Sequence, residues 1–178
     1  MIIAFFRTSS RFLVFGLGLL LGIQVPAFVD QYRLRVDAHY REVSANIAGF
    51  QHTADAMFGG DLDALVSYYR ESSDRVFQSD AASLQAIVDR YQRFRTEQQI
   101  MQGSLTEAAW HVLVAADAEL LDETRAQYTY TVPLDALALQ WGAAIAMLVL
   151  LLSEACVFGC VKCAHLAGRR KRSRHELL

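Results

Sequence analysis

The chain has 178 residues, of which 53% are hydrophobic and 20% charged, and its formal net charge is −2. This average hides two different compositions, because residues 30–132 carry a net charge of −7 whereas the two ends together carry +5 and hold the long apolar runs. Such a distribution excludes a plain soluble enzyme domain, a basic nucleic-acid-binding protein and a disulfide-stapled mini-protein. It predicts a membrane protein without a nucleic-acid partner.

Two apolar segments are long enough to cross a bilayer. Residues 12–29 carry no charge and hold one strongly polar side chain, Gln24, and as a helix they are about 27 Å long. The second segment, residues 136–161, is interrupted by Gln140, Ser153 and Glu154. Since a hydrocarbon core is about 30 Å thick, each segment is predicted to span it as a helix.

Basic residues beside the spans predict the direction of insertion. They lie in residues 1–11, before the first span, and in residues 162–178, after the second. Because Lys and Arg are enriched on the cytoplasmic side, both termini are expected there and residues 30–132 outside, in the periplasm of a bacterium. The expected location is therefore a bacterial inner membrane. An aromatic belt is expected at the outer interface, formed by Tyr128, Tyr130 and Trp141.

A cleaved signal peptide is an alternative to the first span. Val25-Pro26-Ala27 resembles a cleavage site, and Arg7 and Arg11 form a basic leading region. The apolar run is longer than the roughly 7–15 residues of a typical signal peptide, which favours a retained span. Either outcome leaves residues 30–132 outside the cytoplasm.

The exported region is predicted to be helical. Its first helix carries apolar residues at alternating spacings of four and three and is expected to end at Gly59-Gly60. A short amphipathic helix then follows the N-cap candidate Asp61-Leu-Asp63. The seam of the first helix consists of Val36, Tyr40, Val43, Ile47, Phe50, Ala54 and Met57, and the short helix carries Leu62, Leu65, Val66 and Tyr69.

Two further long helices complete the predicted fold. One is expected to begin at Ser79-Asp80, and the other opens with the capping box of Ser104 and Glu107. Their seams are Leu84, Ile87, Tyr91, Phe94 and Met101, with Gln98 as a polar break, and Leu105, Ala109, Val112 and Ala116. The prediction is an all-α membrane protein, in which two transmembrane helices bracket an antiparallel bundle of three long helices and one short one.

Small residues mark a helix-packing face in the two spans. Gly18 and Gly22 have the small-xxx-small spacing that permits close helix crossing, and Gly16 is grouped with them. Gly142, Ala146 and Ser153 of the second span are the expected receiving face. Packing between the two spans is favoured over homodimerisation, and general tolerance of glycine in membrane helices is the simpler alternative.

Glu154 lies inside the second apolar segment, where an ionised carboxylate is expensive, so it is a candidate intramembrane polar site. The favoured interpretation is that it reaches the interface or pairs with Arg11 or Lys162. A proton-transfer or ion-transfer role, as in a transporter or enzyme subunit, is the alternative.

The cysteines lie at the expected cytoplasmic end of the second span, and the basic tail follows it. Cys156, Cys160 and Cys163 share a helix face near His165, but one straight helix converges poorly on zinc, so they are interpreted as packing residues. Metal or redox sensing across a dimer is the alternative, and no metal or cofactor is predicted. A basic cluster is expected to fix topology and to contact anionic lipid head groups: Arg169, Arg170, Lys171, Arg172 and Arg174.

Catalytic motifs are absent from the sequence, so no enzymatic activity is expected. His39, His52 and His111 form no metal-binding or catalytic pattern. Trp110 lies off the seam. Burial on a wider bundle face is favoured for it over exposure as a partner-binding anchor.

The run Pro26-Ala-Phe-Val-Asp-Gln-Tyr32, with Arg35, Ala38-His39 and Gly49-Phe50-Gln51 after it, resembles a family of uncharacterised proteobacterial double-pass membrane proteins. The likeness covers residues 10–165. It implies an inner-membrane protein with a helical periplasmic region and implies no activity or site residues.

The function expected from the sequence is a non-enzymatic interaction or scaffolding protein. Its partners would be other membrane or envelope proteins, or further copies of the chain. A periplasmic sensory module that acts through a separate output partner is the main alternative.

Overall fold

The computed structural model describes the backbone of residues 2–130 and 135–175, and the side chains of residues 7–130, 135–159 and Lys162. All regular structure in this part of the chain is α-helical, which confirms the predicted class. The six helices are α1 (Ile2–Met57), α2 (Leu62–Glu71), α3 (Arg75–Met101), α4 (Leu105–Val114), α5 (Ala118–Gln127) and α6 (Ala136–His175). The chain divides into unit 1, Met1–Ala27 with Tyr130–Leu178, and unit 2, Phe28–Thr129.

Unit 1 contains the long apolar stretches. Two helices, α1 and α6, are long and apolar enough to cross a membrane. Large apolar side chains are exposed along both, including Phe12, Leu21 and Leu151, as expected for a surface in contact with lipid rather than water. Helix α1 continues through Pro26, which has no backbone N–H to donate.

The hydrophobic core of unit 2 is built by α1, α2 and α3. Its buried members include seam residues predicted for each helix, while Phe50, Phe58, Tyr69, Ile87 and Tyr91 pack partly buried against it. The buried set is Ile47, Ala54, Leu62, Leu65, Val66, Leu84 and Val88. The periodic apolar pattern therefore identified most of the surfaces that these helices bury. The predicted seam residue Met57 was wrong: it is 76% exposed, because it is the last residue of α1 and lies past the core.

The contacts between α1 and α3 follow a regular order. Tyr32 is bonded to Glu97, whereas Tyr40, two turns further along α1, stacks on Tyr91 with ring centroids 6.0 Å apart. As residue numbers increase along α1, the numbers of the α3 residues that they contact therefore decrease.

The turns form where the sequence indicated. Gly59 and Gly60 take positive φ values of 61° and 88°, which glycine adopts without steric cost, and α1 ends just before them. Asp61 caps α2 by accepting hydrogen bonds from the N–H groups of Asp63 and Ala64. The capping box of Ser104 and Glu107 is present at the start of α4.

The predicted start of the third helix was wrong. Helix α3 begins at Arg75, and its N-cap is Asp74 rather than Ser79-Asp80. The Asp74 carboxylate accepts a 2.8 Å hydrogen bond from the N–H of Val76. Residues 75–80 are exposed, so they lack the buried apolar periodicity from which the helix was predicted. The helix nevertheless starts at Arg75 because Asp74 caps it.

The last predicted long helix is two shorter ones. Helix α4 ends at Val114, and Asp117 caps α5 by accepting a 3.2 Å hydrogen bond from the N–H of Leu120. The backbone N–H of Asp117 donates to the Tyr32 hydroxyl at 3.0 Å, a contact that an unbroken helix would forbid because that N–H would bond within the helix. The predicted seam residue Ala116 lies in the break.

Candidate functional site

In unit 1, α1 and α6 approach each other through small residues. A Cβ atom placed on Gly18 would lie 2.9 Å from the Cα of Ala146, and one placed on Gly22 would lie 2.8 Å from the Cα of Gly142. These distances are shorter than non-bonded carbon contacts, so larger residues would force the helices apart. The contact therefore depends on the absence of side-chain volume.

Gly16 takes no part in this contact. A Cβ on Gly16 would have nothing within 4 Å. It precedes Gly18 by two residues, which is a rotation of about 200° around a helix, so it faces away from Ala146. The face therefore contains Gly18, Gly22, Gly142 and Ala146 without Gly16.

Glu154 forms an ion pair with two arginines near the start of the chain. Its Oε1 atom accepts from the Nε of Arg11 at 2.5 Å, and its Oε2 atom lies 3.4 Å from Nη2 of Arg7. Of the two partners considered from the sequence, Arg11 is the one present. Lys162 instead lies over the ring of Phe158, with its Nζ atom 4.6 Å from the ring centroid.

The remaining candidates, at and after the end of the second apolar segment, lie largely outside the described side chains. Cys156 is an exposed free thiol. Its predicted companions and the basic cluster fall beyond the described set: Cys160, Cys163, His165, Arg169, Arg170, Lys171, Arg172 and Arg174. Among the described residues, no group of three or more His, Cys, Asp or Glu side chains is placed to hold a metal ion.

Unit 2 contains a buried polar group that the sequence analysis missed, here called the Glu97 cluster: Tyr32, Glu97, His111 and the backbone N–H of Asp117. Glu97 is 7% exposed, and its Oε1 atom accepts from the Tyr32 hydroxyl. The same oxygen lies 2.9 Å from Nε2 of His111 and 3.4 Å from the backbone N of Asp117. One carboxylate oxygen thus joins α1, α3, α4 and the start of α5.

The hydrogen bonds of the Glu97 cluster connect helices of unit 2 to one another. Burial of Tyr32, with the hydrogen bond from its hydroxyl to Glu97, raises the pKa of that hydroxyl well above its usual value of 10.0. Tyr32 therefore remains a neutral donor at physiological pH. Its hydroxyl also accepts from Asp117 N–H, so the atoms that face Glu97 are already bonded to one another.

A second polar group lies between α1 and α5. Oε2 of Glu123 is 2.8 Å from Nε2 of His39 and 3.2 Å from Nη1 of Arg35. The hydrogen bond with His39, followed by that from Arg35, lowers the pKa of Glu123 below its usual value of 4.5. Arg35 also donates to Gln127 at 2.6 Å, so this group fixes α5 along α1.

An open pocket of about 500 Å³ lies beside these groups and is lined by Ala86, Asp89, Arg90, Arg93 and Glu119. Both arginines pair with Glu119, and Arg93 also lies 3.3 Å from Asp117. Their guanidinium groups stack over Phe94 at 5.2 and 4.7 Å from the ring centroid. The positive charge of the pocket is therefore offset by its own carboxylates.

Besides Leu34 and Ile100, the exposed large apolar side chains of unit 2 fall into two groups. The tip patch consists of Met57, Tyr68, Val76 and Phe77, and ring contacts of Tyr68 with Phe58 and of Phe77 with Tyr69 connect the turns that carry it. The α4 face consists of Trp110, Leu113 and Val114. Trp110 is 67% exposed, so the expectation that it is buried was wrong. Helix α4 instead buries Ala108 and Val112 on its other side.

Comparison with known proteins gives a family without an assigned activity. No curated protein and no solved structure matches the chain significantly. A family model described as a protein of unknown function, DUF2937, matches residues 6–165 and so extends over both apolar helices and the whole of unit 2. The chain therefore belongs to the DUF2937 family of proteins of unknown function.

Proposed function

We propose that this chain is a two-pass bacterial inner-membrane protein whose unit 2 acts outside the cytoplasm as a non-enzymatic interaction module. In this proposal residues 12–29 and 136–161 span the bilayer, and residues 1–11 and 162–178 lie in the cytoplasm. Two observations support it. The apolar helices α1 and α6 flank unit 2 in the sequence, and basic residues lie before the first predicted span and after the second, which is the pattern expected when both termini are cytoplasmic. The basic tail would contact anionic lipid head groups.

The helices of unit 2 would form an antiparallel bundle. The opposed order of contacts between α1 and α3 and the short turn at Gly59-Gly60 support this arrangement. The Glu97 cluster and the Glu123 group then hold α4 and α5 on the bundle.

The tip patch is the observation that carries an interaction function. Met57 follows Phe28 by 29 residues in one helix, so the patch lies about 43 Å along α1 from the start of unit 2. Tyr68 is 61% exposed and Met57 is 76% exposed, although the interior directly beneath them is well packed. A cluster of large exposed apolar side chains on a polar unit is typical of a surface that binds another protein.

Site-specific photocrosslinking in cells tests this surface. A photoreactive amino acid at Tyr68 is expected to give one reproducible, identifiable adduct, whereas the same group at His52, an exposed polar position on α1, is expected to give none. The double change Met57→Ser and Phe77→Ser should remove the adduct while the protein remains in the membrane. Equal labelling at Tyr68 and His52 would contradict a docking role for the patch.

The proposed topology is tested separately by cysteine labelling. In a chain whose three cysteines are changed to serine, Ser73→Cys in the exposed α2–α3 turn should react with a membrane-impermeant maleimide in cells whose outer membrane is permeabilised. Reaction only after the inner membrane is disrupted would place unit 2 in the cytoplasm and overturn the topology.

A sensory module is the second candidate, and a specific feature of α1 favours it. This helix extends without interruption from Ile2 to Met57, so a shift of its outer part is transmitted along its axis. Because the Glu97 cluster bonds α1 to α3, α4 and the start of α5, a ligand that moved those helices would also displace α1. Disulfide crosslinking rates along α1 that change with added periplasmic extract would favour this function over a static scaffold.

A further inference from the structure

The α4 face is an exposed apolar surface on a helix that is bonded to α1 at both flanks. Trp110, Leu113 and Val114 are 67%, 77% and 60% exposed and lie at i, i+3 and i+4 on one side of α4. The described α4 residues carry one acidic side chain, Glu107, which is held at the first turn by hydrogen bonds from Ser104. These hydrogen bonds lower the pKa of Glu107. The rest of the exposed face carries no acidic charge.

Both flanks of α4 are bonded to adjacent residues of α1. Just before α4, the carbonyl of Gly103 accepts a 2.9 Å hydrogen bond from Nη2 of Arg33. Just after α4, the backbone N–H of Asp117 donates to the hydroxyl of Tyr32 at 3.0 Å. The whole of α4 is therefore tied to one short stretch of α1.

That stretch lies directly after the uncharged segment. Tyr32 and Arg33 follow Val29, the last residue of the segment, by three and four positions, which is about 5–6 Å along a helix. The polar interface on each side of a bilayer is about 5–8 Å thick. Phe28 and Tyr128 form an edge contact between ring centroids 5.2 Å apart at the same end of unit 2. Aromatic side chains are enriched at this depth of a membrane.

We propose that α4 lies in the headgroup region of the outer leaflet and inserts Trp110, Leu113 and Val114 among the lipids. The proposal rests on the membrane topology proposed above. An interfacial helix buries its apolar face about 5–10 Å into the boundary between head groups and acyl chains, and Trp is favoured there because its ring is apolar and its N–H is polar. Lipid is the occupant that this location supplies.

Lipid quenching of tryptophan fluorescence tests the proposal on the full-length chain. The chain contains two tryptophans, so the Trp141→Phe variant leaves Trp110 as the sole tryptophan. The matched control carries Trp110→Phe, Trp141→Phe and Tyr68→Trp, which places a comparably exposed tryptophan on the tip patch. Both are reconstituted in phosphatidylethanolamine and phosphatidylglycerol vesicles that contain lipids brominated near the head group or near the acyl-chain end.

The expected result is specific in depth. Trp110 should emit at shorter wavelength than the control and should be quenched at least about twofold more by the shallow bromolipid, with a smaller effect of the deep one. Quenching of Trp110 by aqueous iodide alone would overturn the proposal. Protection of Trp110 from both iodide and bromolipid would also overturn it, because it would indicate that a second copy of the chain covers the face.

Carbonate extraction distinguishes failure of this inference from failure of the proposed topology. Release of the protein from the vesicles by carbonate would show that the chain is not anchored in the membrane, and the proposed topology would then fail. Retention with an iodide-accessible Trp110 would leave the anchoring intact and reject the insertion of α4. Helix content measured by circular dichroism shows whether each variant is folded.

Discussion

Glu97 is the residue at which local sequence and tertiary structure differ most. The heptad pattern of α3 places Gln98 on the seam, whereas the structure buries Glu97 and leaves Gln98 partly exposed. A carboxylate is kept in this interior because Tyr32, His111 and Asp117 N–H all bond to it. Those partners are 65, 14 and 20 positions away in sequence, so no local pattern indicates them.

We predict that Glu97→Ala lowers the stability of the full-length protein. Removal of the carboxylate leaves buried donors unsatisfied, which costs about 1–3 kcal/mol. The Glu42→Ala change at an exposed position of α1 is the control and should alter stability by less than about 0.5 kcal/mol. Denaturant unfolding in mild detergent, followed by circular dichroism, measures both. Equal effects of the two substitutions would show that the Glu97 cluster does not hold the helices together.

A pH-dependent contribution is expected from Glu123. Its pKa in the folded protein is below 4.5, so its bonds with His39 and Arg35 stabilise the fold above pH 4.5 and are lost as pH falls through the lower folded value. The wild type should therefore melt above the Glu123→Gln variant at pH 7, and the difference should shrink in acid below pH 4.5. A difference in melting temperature that is constant from neutral to acidic pH would contradict this assignment.

At the scale of elements, the contact between α1 and α6 depends on small residues rather than on hydrophobicity. Most residues of the two apolar segments are hydrophobic, so composition alone does not distinguish the packed face from the lipid face. Small-xxx-small spacing identified Gly18 and Gly22, and helix rotation then excludes Gly16.

Substitution of one glycine should separate the packed face from the rest of α1. Gly22→Leu would place a side chain against the backbone of Gly142, and such overpacking costs about 1–3 kcal/mol. Gly16→Leu, which meets nothing within 4 Å, is the matched control and should leave the melting temperature in detergent almost unchanged. If both variants melt alike, the contact between Gly22 and Gly142 does not contribute to stability.

The ends of the helices show how far element boundaries follow from sequence. Gly59-Gly60 and the Ser104–Glu107 capping box were predicted correctly, because positive φ and reciprocal capping are local effects. The break between α4 and α5 was not predicted. It requires the Asp117 N–H to bond to Tyr32, a partner 85 positions earlier in the chain.

At the scale of the whole molecule, the chain combines two apolar helices with a more polar helical unit. The ion pairs of unit 2 are mostly internal to it, and most of its large exposed apolar side chains, apart from Leu34 and Ile100, lie at the tip patch and the α4 face. Each of these two surfaces has its own test above, photocrosslinking at Tyr68 and lipid quenching of Trp110. Independent outcomes are expected because the two surfaces lie on different helices.

The sequence by itself determined the helical class, the two apolar helices, most seam residues and the family. Periodicity, run length and capping chemistry act over a few residues, so they can be recognised without a structure. Only the tertiary structure decided which polar residues meet in the Glu97 cluster, where the last helix breaks and which face of α4 is exposed. These features depend on contacts between residues far apart in the chain, whose energies appear only once the helices have packed.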